Sequence, residues 1–284
     1  MAYHHRDVFT ERLNMYLRKS DIFPYYRKTV DEFEAVYALL RSNFQEGYVD
    51  DLMKLRNYFD EPQRQLIANM ELGCCHIDDA TELGDLRKEL GLVSDSDTFL
   101  LNDRYIIPVE DIEGAIVALI GYYPDYKKYI TTPSPFFSKE CMFFNFRQAY
   151  ELSWKDYNGF VIVVEGIFDC LSLRAIGLPA MATMGSSVSK NKGELLKLFN
   201  KVLGIPDDDK TGHKAINRYS ERGWQVPSNT TMLKFHGGEF DLPNGEQIHC
   251  KDMDNFVSWY NADDVREILL SFADSKEEIE ELYI

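Results

Sequence analysis

The chain has 284 residues, enough for two modest domains or one domain with an extension. Its 45% hydrophobic and 13% aromatic content supports a buried core and excludes a disordered chain. A formal net charge of −16 at pH 7 argues against a broad polyanion-binding surface, because phosphate contacts come from Lys and Arg, although a global figure can hide a local basic ridge.

Residues 1 to 50 read as helix. Val8, Phe9, Leu13, Tyr16 and Leu17 share one face, and Phe33, Val36, Tyr37, Leu39 and Leu40 share another, with Asp31 placed to cap the second helix. His4 and His5 have no further ligands clustered near them. Residues 51 to 100 continue in short helical pieces: Leu52, Met53 and Leu55, then Tyr58-Phe59, Leu66, Ile67 and Met70, and finally Leu83, Leu86 and Leu90-Gly91. Asn102 to Val109 and Ala115 to Tyr122 are apolar, β-branched runs around the turn Glu110 to Gly114, which predicts a hairpin. The segment Lys128-Tyr129-Ile130-Thr131-Thr132-Pro133 follows, then Phe137-Ser138-Lys139 and Phe143 to Ala149.

Phe160 to Val164 is a continuous apolar run of the kind that forms a strand buried on both faces, and Glu165 follows at its carboxyl end. Ile167 to Ile176 has helical spacing, with Asp169 one turn beyond Glu165. Ala180 to Met184 predicts a short second strand, Gly185 to Ser187 a turn, and Ser189 the cap of a helix whose buried face is Leu195, Leu196, Leu198 and Phe199. Val202 to Ile205 is a third strand and ends in Pro206-Asp207-Asp208-Asp209-Lys210. In an open α/β sheet, ligands bind beyond the carboxyl ends of the strands, so Glu165, Asp169, Asp207 and Asp209 would reach one crevice. Carboxylates brought that close repel each other, and a hard divalent cation with oxygen ligands keeps them ionised. Taken without Glu165, Asp207 to Lys210 reads as an acidic turn in solvent.

Gly212 to Gly223 reads as helix and Thr231 to Phe235 as a strand. Asn261 or Asp263 caps a last helix with Val265, Ile268, Leu269 and Phe272 inward, and the run Lys276 to Glu281 reads as a solvated acidic tail. Cys74, Cys75, Cys141, Cys170 and Cys250 form no C-x-x-C pair, so neither bound zinc nor a disulfide framework is expected. No apolar run approaches the ~18 residues a membrane helix needs. The amino terminus lacks a signal-peptide pattern, so the expectation is a soluble, cytoplasmic protein without membrane contact.

Glu165-Gly166 with Asp169, Met184-Gly185-Ser186, and Asp207-x-Asp209-Lys210-x-Gly212 together resemble the Toprim domain, the metal-binding fold of DnaG-type primases, topoisomerases and some nucleases. The preceding pieces narrow the resemblance. Arg104-x-x-x-Pro108, the glycine turn, Lys128-Tyr129 with Thr132-Pro133, Phe137-x-Lys139 and the apolar step to Ala149 are similar, in order, to the DnaG-type primase core, over about residues 50 to 256.

The resemblance implies an α/β fold: a primase-core subdomain followed by a Toprim domain with a mostly parallel sheet flanked by helices, behind a helical amino-terminal extension. The boundaries expected are 1–50 for the extension, 51–156 for the core subdomain, 157–257 for the Toprim domain and 258–284 for a closing helix and tail. It implies Mg²⁺ or Mn²⁺ held by Glu165, Asp169, Asp207, Asp209, Asp252 and Asp254, with Glu165, Asp207 and Asp209 catalytic. Asp252 and Asp254 enter through Lys251-Asp252-Met253-Asp254, which the family runs directly on from Leu242-Pro243-Asn244-Gly245; here Glu246 to Cys250 intervene. Arg104, Lys128, Lys139 and Lys210 are the implied contacts to nucleic acid and nucleotide.

The activity implied is template-directed primer synthesis on single-stranded DNA from nucleoside triphosphates by two-metal transfer. No zinc-binding or helicase-binding domain is legible, so the resemblance implies a pared-down primase of a phage or mobile element, or one that borrows what is missing from a separate helicase or zinc-binding protein. Two alternatives stay open: a Toprim nuclease using the same ions on water, and a non-catalytic nucleic-acid or nucleotide-binding module, which the acidic charge favours.

Overall fold

The computed structural model describes residues 30–56, 64–65, 73–75, 85–94, 99–111, 114–126, 128–133, 136–210, 212–216, 224–241 and 247–284. The expected helical face from Val8 to Leu17, His4 and His5, Tyr58-Phe59, Leu66 to Met70, Leu83 and the Leu242 to Gly245 step lie outside these residues. The chain divides into two compact units, one running to Ser138 and the other comprising Lys139–Ile284.

In the first unit, α1 (Val30–Ser42) buries Phe33, Val36, Tyr37 and Leu40, the stripe its apolar spacing dictates. Asp31, expected ahead of the helix as its cap, lies inside the first turn, where its charge complements the helix dipole. The buried stripe shares one apolar cluster with Leu90, Leu101, Ile106 and Leu119. After α2 (Tyr48–Leu55), β1 (Gly73–Cys75) and α3 (Leu86–Glu89) comes the predicted hairpin, β2 (Arg104–Glu110) and β3 (Ile116–Tyr123). Its turn is closed by the Ala115 N–H, which donates to Asp111 Oδ1 at 2.9 Å. β4 (Lys128–Thr131) completes an antiparallel sheet in the order β1-β2-β3-β4.

The second unit alternates helix and strand: α4 (Phe146–Asp156), β5 (Phe160–Val164), α5 (Ile167–Ala175), β6 (Ala180–Ala182), α6 (Lys190–Leu196), β7 (Lys201–Ile205), α7 (Gly212–Ile216) and β8 (Thr230–His236). A small hairpin of β9 (Glu239–Asp241) and β10 (Gln247–His249) follows, then α8 (Met253–Trp259), α9 (Ala262–Ser271) and β11 (Ile279–Tyr283). Strands β11-β8-β7-β5-β6 form a five-stranded sheet, every pair parallel. Every residue of β5 is buried, as a strand covered on both faces requires. Ser189 Oγ accepts the Lys192 N–H at 3.2 Å and caps α6, and Asn261 Oδ1 accepts the Asp263 N–H at 2.9 Å and caps α9. No helix among the described residues is long and apolar enough to cross a membrane.

One local expectation is corrected. The run read as a solvated acidic tail becomes β11, an edge strand in register with β8 from Ile279↔Met232 to Tyr283↔His236. Lys234 Nζ sits 3.2 Å from Glu281 Oε1, and the Tyr283 ring stacks on His236 with centroids 4.3 Å apart and planes 7° apart. Lys234 thus pairs with one acid of the run, while Lys276 to Ile279 stay exposed, so the segment is an ordered strand that remains largely in solvent.

Candidate active site

β5 leads through α5 to β6 on one side, while β7, which pairs with the opposite side of β5, leads on to β8 further out. The connections therefore diverge beyond the ends of β5 and β7, and a crevice opens at such a switch point. The two strands end level, because Val164 pairs with Ile205. Glu165 follows the first and Pro206-Asp207 the second, which fixes the two acids as neighbours through backbone register alone.

Glu165 is held there at an electrostatic cost. Its Oε1 is buried and has no hydrogen-bond partner. Burial, with Asp209 and Asp169 adding to it, pushes its carboxyl up to about 7 against a hydrogen bond from the Asp207 backbone. Asp207 is pushed up to about 8, first by burial and then by Glu165 and Asp252, with Lys251 opposing. Asp169 lies deeper, 6% exposed, and burial raises it far above the usual carboxylate range, with Asp252, Asp207 and Asp254 adding to the effect.

The glycines of both motifs have a steric reason. Asp169 folds back so that its Oδ2 accepts the Gly166 N–H at 3.1 Å, and a Cβ at Gly166 would lie 2.2 Å from that oxygen. A Cβ at Gly212 would lie 1.9 Å from the Asp207 carbonyl oxygen, in the turn where Asp209 Oδ1 accepts the Gly212 N–H at 2.8 Å. Asp209 itself is exposed.

Helix α8 brings in the last pair. Asp252 caps it by accepting the Asn255 N–H at 2.9 Å and has Lys251 Nζ at 3.9 Å. The Asp254 N–H donates to Asp169 Oδ1 at 2.9 Å, and Ser172 Oγ donates to the buried Asp254 carboxylate, so α5 and α8 are joined through their acids. The intervening residues after 245 therefore leave Asp252 and Asp254 at the same end of the sheet as Glu165. Lys139 and Lys210 are exposed on this unit, and Arg104 and Lys128 lie on β2 and β4 of the other.

These acids share one field but do not close on a point: among the described residues no three His, Cys, Asp or Glu side chains are gathered tightly enough to hold a metal ion. Two features still suit a cation. The donors are hard carboxylate oxygens, and one of them, Glu165 Oε1, is buried with nothing to pair it.

The segment that separates Asp252 from the glycine step is structured at its carboxyl end. His249 Nε2 lies 3.3 Å from Asp208 Oδ2, which also accepts the Gly237 N–H at 3.1 Å, while the Asp208 N–H donates to Lys251 O at 2.7 Å. The middle acid of the Asp207-Asp208-Asp209 run thus ties that loop to the small hairpin. Lys192 belongs to none of the sequence motifs. It is 1% exposed, its Nζ donates to Thr183 O at 2.6 Å and lies 4.9 Å from the Phe143 ring centroid, and burial pushes it down to about 7. Its spacing from Leu195 and Leu196 on α6 was the available signal, since it falls on the same buried face.

The Toprim-like family matches residues 162–242, from β5 through β9. A DNA primase of Synechococcus elongatus is 28% identical over 181 residues, covering 59% of this chain and 24% of that protein. A DNA primase of Thermotoga maritima is 34% identical over 117 residues, covering 39% and 20%. A solved DnaG primase catalytic domain bound to single-stranded DNA superposes with a TM-score of 0.64 at 18% identity, over 87% of this chain and 80% of that one. The fold is that of a DnaG-type primase catalytic core. The chain spans about a quarter or less of the length of these two curated relatives. Its switch-point crevice is where the Toprim-like match and the acidic loops coincide.

Proposed function

We propose that the chain catalyses template-directed synthesis of short primers on single-stranded DNA from nucleoside triphosphates, acting in the cytoplasm. The observation that carries this reading is the level ending of β5 and β7, which sets Glu165 against Asp207 within a field of further carboxylates. The relatives' names, DNA primase, and the solved catalytic domain bound to single-stranded DNA support it. The proposed Toprim domain, 157–257, lies within the second unit.

In this reading Glu165, Asp207, Asp209 and Asp252 offer oxygens to Mg²⁺ or Mn²⁺ at the mouth of the crevice. Asp169 and Asp254, also in the proposed ligand set, are held inside by hydrogen bonds and add their charge from behind. Two bound divalent cations would supply activation of a 3′-hydroxyl and neutralisation of the triphosphate. The chain's own part is to hold acceptor oxygens in a water-poor setting, keep the Asp207-to-Asp209 loop in place through Asp208, and contact phosphates through Arg104, Lys128, Lys139 and Lys210.

The test is incubation of the protein with single-stranded DNA, labelled nucleoside triphosphates and Mg²⁺ or Mn²⁺. Labelled short oligomers that require template support the proposal. A cut template without synthesis replaces it with a nuclease, and neither product replaces it with a binding module.

A further inference from the structure

At one end of the antiparallel sheet of the first unit, cations and aromatic rings alternate. β3 ends at Tyr123 and β4 begins at Lys128, directly opposite in register, with Pro124–Tyr126 forming a single 3₁₀ turn between them. The Tyr123 and Tyr126 rings are stacked, centroids 5.2 Å apart and planes 17° apart. The Arg104 guanidinium, from the start of β2, lies 5.3 Å from the Tyr123 centroid, and Lys128 Nζ lies 5.8 Å from the Tyr126 centroid.

The row is held in place from behind. Arg104 Nε donates to Leu100 O at 3.0 Å, and its side chain crosses Gly121, where a Cβ would lie 2.7 Å from Arg104 Cδ. A hydrogen bond between the Tyr123 side chain and Asp125 ties the ring to the turn. Yet Tyr126 is 67% exposed, whereas Tyr122 on the same strand pair is 2% exposed. A large ring left in water, but fixed parallel to a second ring, contributes little to a core and is already ordered for a flat ligand.

We propose that Tyr126, backed by Tyr123, is a stacking platform for one unpaired nucleobase of a single strand, with Arg104 and Lys128 facing the phosphates on either side. A paired base hides its faces in the duplex stack, so the ring selects unpaired nucleotides, and it does so with little regard to base identity because every base has a π face. The occupant is a nucleic acid rather than an apolar peptide because the rings are flanked by cations in a chain of net charge −16, where clustered positive charge is scarce. The choice of occupant rests on the primer-synthesis reading and deepens it by naming where the template's bases are held.

The test uses the full chain and two fluorescent probes of equal length, oligothymidylate and an abasic phosphodiester, with primer synthesis assayed on the same preparations. Tyr126→Ala should weaken oligothymidylate binding about tenfold and leave abasic binding unchanged, and Tyr126→Phe should bind both probes as the parent does. Equal loss on both probes, no loss on either, or no binding of oligothymidylate by the parent overturns the platform. So does a proline-rich peptide that binds through Tyr126 while the oligonucleotides do not. Base-dependent binding through Tyr126 in a parent that makes no primers keeps the platform and removes the primase reading. Primer synthesis with Tyr126→Ala indifferent to base does the reverse.

Discussion

At the carboxyl ends of β5 and β7, groups of one sign are gathered with little water between them. At the β3–β4 turn, cations stand against aromatic rings in solvent. A like-charged pair 4 Å apart costs about 4 kcal/mol at an effective dielectric of 20 and about 1 kcal/mol in bulk water. The same kind of substitution should therefore have large consequences in the crevice and small ones on the turn. It should also have opposite signs: the acids oppose the metal-free fold, whereas the turn's cations are comfortable without a ligand.

The largest effect is expected from Asp207→Asn. It keeps the side chain's size and removes a charge that burial, Glu165 and Asp252 all oppose. Without metal the variant should melt a few degrees higher than the parent. On the proposed function, primer synthesis should fall a hundredfold or more, since the charge of a proposed ligand oxygen is lost. Mg²⁺ at a hundredfold excess over its Kd should stabilise the parent by about 2.7 kcal/mol and the variant by much less. Melting scans with and without Mg²⁺ check the pair; a variant inactive yet fully stabilised by metal would show that the cation binds elsewhere.

The pH dependence follows from the same repulsion. Glu165 and Asp207 titrate near 7 and 8 in the fold, against ordinary values of 4.5 and 3.8. Between those limits the unfolded chain binds fewer protons than the folded one, so stability falls as pH rises. The loss begins near pH 4, is complete about one unit above the Asp207 value of about 8, and amounts to roughly 3 kcal/mol for Glu165 alone. Denaturant midpoints across that range should decline without metal and flatten when Mg²⁺ is present. A metal-free profile that rises from pH 4 to 8 would mean these carboxyls are stabilised as anions by something other than a cation.

How far the sequence foretold these two regions depends on the distance between interacting residues. β5, the Ser189 cap and the turn at Asp209 were legible because each is decided within a few residues: an apolar run, a hydroxyl before a helix, an acid three residues before a glycine. β11 was not, because its pairing with β8 joins residues 47 apart in the chain, as in Lys234–Glu281, and its composition alone reads as solvated. The contact between Asp208 and His249 spans 41 residues and left no local pattern. Likewise, the motifs placed the acids at one end of the sheet, but which of them are sealed inside by hydrogen bonds, as Asp169 and Asp254 are, depends on how α8 packs on α5.

A middle-sized effect is expected at that contact. His249→Ala removes one of the groups holding Asp208 while leaving the Gly237 N–H on the same oxygen, so the loop should loosen rather than unfold. Primer synthesis should drop about threefold to tenfold in kcat with little change in melting temperature, as expected of a small misplacement of the proposed catalytic groups. His249→Gln, which can still donate to Asp208, should recover most of it. Equal loss in both variants would assign His249 a role other than holding Asp208.

The smallest effect is expected on the turn. Lys128 is exposed, and Arg104 is partly engaged with Leu100 O and the Tyr123 ring, so each contributes through phosphate contact in water rather than through buried charge. Replacing either with alanine should weaken single-strand binding at low salt and reduce the slope of log affinity against log salt, by at most about 0.7, the value for one whole phosphate contact on a single strand. Because salt screens exposed charges within about 8 Å at physiological ionic strength, the deficit should shrink as salt rises. Lys128→Ala should show the full change in slope. Arg104→Ala should show a smaller one together with some loss of stability, since its side chain also packs across Gly121 and against Tyr123. Binding titrations at several salt concentrations separate the two. Unchanged slopes in both variants would leave the turn without phosphate contacts and return the source of template binding to Lys139 and Lys210 on the acidic unit.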